Sequence, residues 1–176
     1  VFLLSLFTVS EQPSDKLYRP DAESLYGQYA DMIYRIAFVR TLNASDAEDI
    51  LQEVFCRYIR SAPLFRDEGH CRAWLIRTAV NCTGSLMTSA WKRRTVPDTQ
   101  PVEDITCRME RDTEVYFAVM QLPESLRIVI HLYYYEDCSV GDIARLTGST
   151  QSAVKSRLFR ARNELRSLLK EDIDEL

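Results

Sequence analysis

The chain has 176 residues, room for one ordinary domain or two small ones. Apolar residues make up 46% and charged residues 27%, the composition of a folded soluble protein rather than a disordered one. With 5 Gly and 6 Pro there is little material for the many tight turns of an all-β fold, which leaves a helical one. The net charge of −4 argues against nucleic acid only until the distribution is read. Over residues 139–170 the bases Arg145, Lys155, Arg157, Arg160, Arg162, Arg166 and Lys170 meet only Asp142 and Glu164. Acid gathers elsewhere, in Asp46, Glu48, Asp49 and Glu53 and over 98–114. A basic end on an acidic body fits DNA at one surface and a basic partner at another.

Residues 1–10 are apolar but lack a basic flank and a small-residue cleavage site, and fall far short of the ~20 residues of a membrane span. They read as an extended lead-in, and no other segment is long and apolar enough to span a bilayer. Apolar residues at Leu25, Tyr29, Met32, Ile33, Ile36 and Ala37 predict a first helix over 22–40. Ser45 and Glu48 have the spacing of a capping box, opening a second helix after a break at Leu42-Asn43-Ala44. Its stripe is Ala47, Ile50, Leu51, Val54, Phe55, Tyr58 and Ile59, with Asp46, Asp49, Gln52 and Glu53 opposite. Pro63 ends it, and 64–69 reads as an exposed loop. A third helix over 70–91 buries Trp74, Leu75, Thr78, Ala79, Cys82 and Leu86, so three helices close one small core.

The basic run Lys92-Arg93-Arg94, then Pro97, Pro101 and several acids, break any helical period, making 92–112 a linker. Residues 115–120 look helical, and Leu122-Pro123-Glu124 restarts a helix with proline near its first turn. That helix, 124–136, is apolar on most sides (Leu126, Ile128, Val129, Ile130, Leu132, Tyr133) and belongs at the centre of a second module.

Residues 139–148 form a short helix with Ser139 as its N-cap and Gly148 as its left-handed stop. Ser149-Thr150 caps a further helix whose buried seam is Val154, Leu158, Ala161, Leu165 and Leu168. A short helix, a glycine turn and a second helix make a helix-turn-helix, with small Ala144 where the two helices approach. The second helix presents Ser152, Lys155, Ser156, Phe159 and Arg160 near its start, flanked by Arg157 and Arg162. In this motif that part of the helix enters the major groove, where Lys and Arg donate to guanine edges and phosphates and a ring touches a thymine methyl. The plain alternative is a solvated basic face; capped turn, small crossing residue and basic surface together favour DNA.

Catalytic readings fare badly. His70 and Cys71 are sequence neighbours that point in different directions on a helix, and His131 lies on an apolar one. Cys56, Cys71, Cys82, Cys107 and Cys138 are odd in number and lack a CxxC, which speaks against zinc or a disulfide framework. An odd set of free thiols suits a reducing cytosol, so a cytoplasmic location is expected.

Leu122-Pro123-Glu124, Tyr133-Tyr134-Tyr135-Glu136, Ile143-Ala144 and above all Ala153-Val154-Lys155-Ser156-Arg157-Leu158 with Arg160-Ala161-Arg162 resemble region 4 of bacterial sigma factors. Residues 46–55 resemble region 2.2, and 73–81 resemble regions 2.3 to 2.4. The order and the linker size are similar to those of the small extracytoplasmic-function (group IV) class. The resemblance implies an all-α protein of two small modules: a tail at 1–20, region 2 at 21–94, a linker at 95–112 and region 4 at 113–172.

It further implies a non-enzymatic protein, needing no cofactor, metal or small-molecule substrate, that binds core RNA polymerase and directs it to promoters. Asp46, Asp49, Gln52 and Glu53 would dock on a clamp helix of the largest catalytic subunit. Trp74, Arg77 and Asn81 would lie near the single strand of the −10 element, with Lys92, Arg93 and Arg94 on its phosphates. The loop 65–70 would hold a flipped base, although Trp74 equally suits a core role. Ser152, Lys155, Ser156, Phe159 and Arg160 would read the −35 element. An anti-sigma factor is an expected partner, and the chain is expected to be monomeric outside the holoenzyme. The sequence departs from the family at 82–87, where relatives carry a more basic run and Gly84 weakens the helix by about 1 kcal/mol. A conventional regulator would need a receiver or ligand-binding module, and nothing before Lys92 shows a strand pattern.

Overall fold

The computed structural model describes residues 17–89 and 113–174. Among these residues seven helices appear in chain order: α1 (Ala22–Thr41), α2 (Ala44–Ser61), α3 (Glu68–Ser89), α4 (Thr113–Gln121), α5 (Glu124–Tyr134), α6 (Val140–Thr147) and α7 (Gln151–Asp174). Helices α1 to α3 form the first module and α4 to α7 the second, as the hydrophobic periods predict. The described extended pairing is one antiparallel bridge between Tyr18 and Phe65.

Local chemistry sets most boundaries. Asp21 caps α1 by accepting from the Ser24 amide at 2.9 Å. Helix α2 starts two residues earlier than its expected capping box: Asn43, in extended backbone, accepts from the Asp46 amide at 2.9 Å. Ser45 therefore lies inside the helix, and the Ser45–Glu48 box does not form. Asn caps as well as Ser, and left-handed Leu42 (φ 52°) already turns the chain to present Asn43. Two further expectations need correcting. Ile59, placed on the buried stripe, is 59% exposed, because it lies one residue round the helix from buried Tyr58 and off the stripe's edge. Phe65, placed in an exposed loop, is fully buried among Tyr58, His70 and Trp74.

The helix-turn-helix matches its sequence signals closely. Ser139 and Asp142 form a reciprocal capping box at the start of α6. Gly148 closes α6 in left-handed backbone (φ 63°), and the Ser149 amide also returns to the Ala144 carbonyl at 2.9 Å. Thr150 Oγ1 accepts from the Ala153 amide at 3.1 Å and opens α7. Val154, Leu158 and Ala161 are buried, while Leu165 and Leu168 pack part-buried along the same seam.

The modules share a core across α1 and α5 and touch again through α3 and α6. Arg127, 5% exposed, is the central tie. Its guanidinium donates to the Val39 carbonyl of α1, and at 2.9 Å to both the Met120 and Leu122 carbonyls. Val39 and Met120 stand in the last turns of α1 and α4, whose final carbonyls have no helical partner. One buried cation thus satisfies two helix ends, where the macrodipoles also favour positive charge. Burial pushes the pKa of Arg127 down, yet a guanidinium stays charged in proteins.

Beside this tie, Arg40 donates to Glu124 through Nε at 2.8 Å, linking α1 to the start of α5. Glu136, 3% exposed, accepts from Arg72 of α3 at 2.8 Å and faces Arg35 of α1 at 3.7 Å. His131 Nε2 lies 3.4 Å from Glu136 Oε1, and neither atom has a hydrogen-bond partner.

Candidate nucleic-acid and polymerase interfaces

Helix α7 carries one exposed stripe near its start. Ser152, Lys155, Ser156, Phe159 and Arg160 fall at i, i+3, i+4, i+7 and i+8, and every one is exposed. Phe159, 64% exposed, has no place in the core, so its ring is available to an outside partner. The flanking arginines do different work from that expected. Arg157 is half-buried and donates to Ser149 Oγ at 2.8 Å, holding the turn. Arg162 donates through Nε to the Tyr134 hydroxyl at 2.9 Å and sits 5.7 Å over the rings of Tyr133 and Tyr134.

A second surface lies between α2 and α3. An open groove of about 410 Å³ is lined by Arg57, Arg60, Ser61, Trp74, Thr78 and Asn81. Trp74 is half-buried, which reconciles its two expected roles: one edge packs on Tyr58 and Phe65, and the ring also walls the groove. Asn81 shares that wall, whereas Arg77 does not. Arg77 instead donates to the Arg145 carbonyl of α6 at 3.1 Å. Lys92, Arg93 and Arg94 lie outside the described residues. Arg57, Arg60 and Ser61 were not among the residues singled out from sequence; the helical spacing of Arg57 and Arg60 from Glu53 was the available signal.

That spacing also decides what Glu53 does. It accepts from Arg57 Nε at 2.7 Å and from Arg60 Nη2 at 3.0 Å, so it turns toward the groove. The Arg57 hydrogen bond holds its carboxyl below the usual range against the opposing effect of burial. On this part-exposed surface the pair contributes under about 1 kcal/mol, leaving both arginines free to exchange partners. Asp49 and Gln52 are exposed and Asp46 is half-exposed. The acidic face expected on α2 therefore exists, with Glu53 at its border rather than its centre.

The loop entering α3 is tightly held. Asp67 Oδ1 accepts from the His70 amide at 2.6 Å, and the Arg66 amide donates to His70 Nδ1 at 3.3 Å. Glu68 accepts from the Tyr29 hydroxyl at 3.0 Å, and burial together with this bond drives the Tyr29 phenol pKa upward. Among the described residues no cluster of three or more His, Cys, Asp or Glu is placed to hold a metal ion. No described helix is long and apolar enough to cross a membrane.

The fold defines a helix-turn-helix DNA-binding protein with a second helical module packed against it. Comparison with known families narrows this. The model for sigma-70 region 2 matches residues 25–95, and that for sigma-70 region 4 matches residues 112–165. The ECF RNA polymerase sigma factor SigM of Mycobacterium tuberculosis is 32% identical over 149 residues, covering 84% of this chain and 76% of that protein. The RNA polymerase sigma factor SigV of Bacillus subtilis is 32% identical over 148 residues, covering 80% and 86%. The chain belongs to the extracytoplasmic-function RNA polymerase sigma factors, non-enzymatic subunits that direct transcription initiation. Its partners are accordingly core RNA polymerase and DNA. In fold it is similar to the sigma factor RpoE of Bartonella quintana, crystallised with the anti-sigma factor NepR, at TM-score 0.64 and 20% identity over 84% of this chain and 96% of that one.

Proposed function

We propose that this sigma factor reads the −35 element with α7 and the −10 element with the groove between α2 and α3. The observation that carries the reading is the α7 stripe: five residues able to contact bases or phosphates, all exposed, on a helix whose start is fixed by a double-capped turn. In the groove, Trp74 offers a stacking face, Asn81 an amide for base edges, and Arg57 and Arg60 cations for phosphate. Lys92, Arg93 and Arg94, outside the described residues, would add cations for the phosphates of the same strand. Asp46, Asp49 and Gln52 form the docking face for core polymerase, joined by Glu53 when its arginines turn to DNA. Region 2 spans residues 21–94 and region 4 residues 113–172, with a linker between them.

The two elements lie about 25 base pairs apart, on the order of 85 Å along B-DNA at ~3.4 Å per pair. Modules joined by Arg127, by Arg40–Glu124 and by Arg72–Glu136 cannot reach both at once. The described arrangement is therefore a closed form, in which Arg77 is held by the helix-turn-helix and becomes available to the −10 strand on opening. Core polymerase offsets the cost of opening by binding each module. An anti-sigma factor that clasps both modules would hold the closed form, and the free chain is a monomer.

Binding of the reconstituted holoenzyme to duplex promoters tests this. Arg160→Ala should cost about 1–3 kcal/mol and relax preference at one −35 base pair, whereas a phosphate-contacting Lys155 would lose affinity uniformly and flatten the salt dependence. Equal affinity of wild type for intact and scrambled −35 sequences would defeat the assignment.

A further inference from the structure

A pocket that receives a base extruded from its stack must already be formed, since the cost of extrusion leaves little to spend on ordering the pocket itself. The loop between α2 and α3 has no helix or sheet of its own to give it shape. The Phe65 ring anchors it from within, stacked against Tyr58 (centroids 6.3 Å apart, planes 5° apart) and set edge-on to Trp74 and His70. This leaves the main chain of a fully buried residue needing partners.

Those partners come from outside the expected module. The Tyr18 amide donates to the Phe65 carbonyl, and the Phe65 amide donates to the Tyr18 carbonyl, both at 2.9 Å. The Tyr58 hydroxyl donates to the Pro20 carbonyl, the Arg19 guanidinium lies 5.2 Å over the Tyr58 ring, and the Tyr18 ring meets Phe65 edge-on at 6.4 Å. Four consecutive residues ahead of α1 are thus laid along the loop and fastened at three of their positions.

We infer that residues 17–20 are a working part of the −10 site: a short extended segment that positions the base-receiving loop, with the Tyr18 main chain as its positioning element. This rests on the reading that the loop and the adjoining groove take the non-template strand. The segment acts through Phe65. It fixes the Phe65 backbone, and through the Phe65 ring the wall formed by Trp74. Its contribution therefore shows in discrimination between bases and leaves attachment to polymerase untouched.

The test uses holoenzyme assembled with the full chain and a single-stranded −10 oligonucleotide, compared with versions altered at one base each. Tyr18→Pro removes the amide that donates to Phe65, and Tyr18→Phe keeps it as the conservative rescue. The proposal expects Tyr18→Pro to lose about tenfold in discrimination, the equivalent of one main-chain hydrogen bond, with core affinity unchanged and Tyr18→Phe near wild type. Tyr18→Pro discriminating as well as wild type would overturn it. So would a parallel fall in core affinity and thermal midpoint, the mark of a merely structural segment. Wild-type holoenzyme showing no base preference on the oligonucleotide would overturn the −10 reading beneath it, an outcome read from wild type alone.

Discussion

Replacing Arg127 with Met keeps the volume and the apolar stem but removes every donor. Three carbonyls then lose their partner: Val39, which is fully buried, Leu122, which is 1% exposed, and half-buried Met120. Each orphaned acceptor costs about 1–3 kcal/mol, and loss of the cation at two helix ends adds up to ~2 kcal/mol. Relief of guanidinium burial offsets part of this, so the expected net loss is about 3–5 kcal/mol. That is a large share of the ~5–15 kcal/mol that holds an ordinary domain folded. Urea unfolding followed by circular dichroism measures it. The Met variant should also unfold in two steps, because the central tie is gone and the part-exposed pairs Arg40–Glu124 and Arg72–Glu136 contribute little alone. Arg127→Lys, which keeps the charge but cannot reach all three carbonyls, should lose roughly half as much. A Met variant that loses under ~1 kcal/mol and still unfolds in one step would refute the tie.

Three further outcomes follow from the same geometry. Glu136→Gln weakens the contacts of the turn after α5 with Arg72 of α3 and Arg35 of α1, so fluorescence anisotropy should show core polymerase binding up to about tenfold tighter; weaker binding would contradict the closed form. Gly148→Ala meets no atom within 4 Å, so its cost is backbone strain alone, about 1–2 kcal/mol at φ 63° by thermal unfolding, and a neutral substitution would contradict the left-handed turn. Burial raises the pKa of the Cys71 thiol to about 11 and also pushes those of Cys82 and Cys138 up, while Cys56 is exposed. Of these four, iodoacetamide at pH 7.5 should label Cys56 first in peptide mapping, and faster labelling of Cys71 would contradict the packing.

Local signals were legible in the sequence and remote ones were not. Ser139, Gly148 and Thr150 announce the helix-turn-helix because each satisfies or bends backbone within four residues of itself. The reading stripe of α7 follows from helical spacing alone. At the start of α2, Asn43 and Ser45 both suit an N-cap, and the sequence offers no way to rank them; the backbone at Leu42 decides. Arg127 was hidden inside an apolar run, where nothing marks it as the cap of helices elsewhere in the chain. Arg72 and Glu136 stand 64 residues apart, and neither position has a pattern that names the other. Phe65 looked exposed because a loop of charged neighbours surrounds it, yet its ring completes an aromatic cluster contributed by α2 and α3.

In the proposed function the α7 stripe directs polymerase to its promoters. The most direct measurement is transcription in vitro with core polymerase and a genomic promoter library, comparing wild type with Lys155→Ala/Arg160→Ala. Wild type should give start-site-specific transcripts that share a −35 motif and that the double variant loses, while both proteins bind core equally. Transcripts unchanged in identity and amount by the double substitution would contradict it.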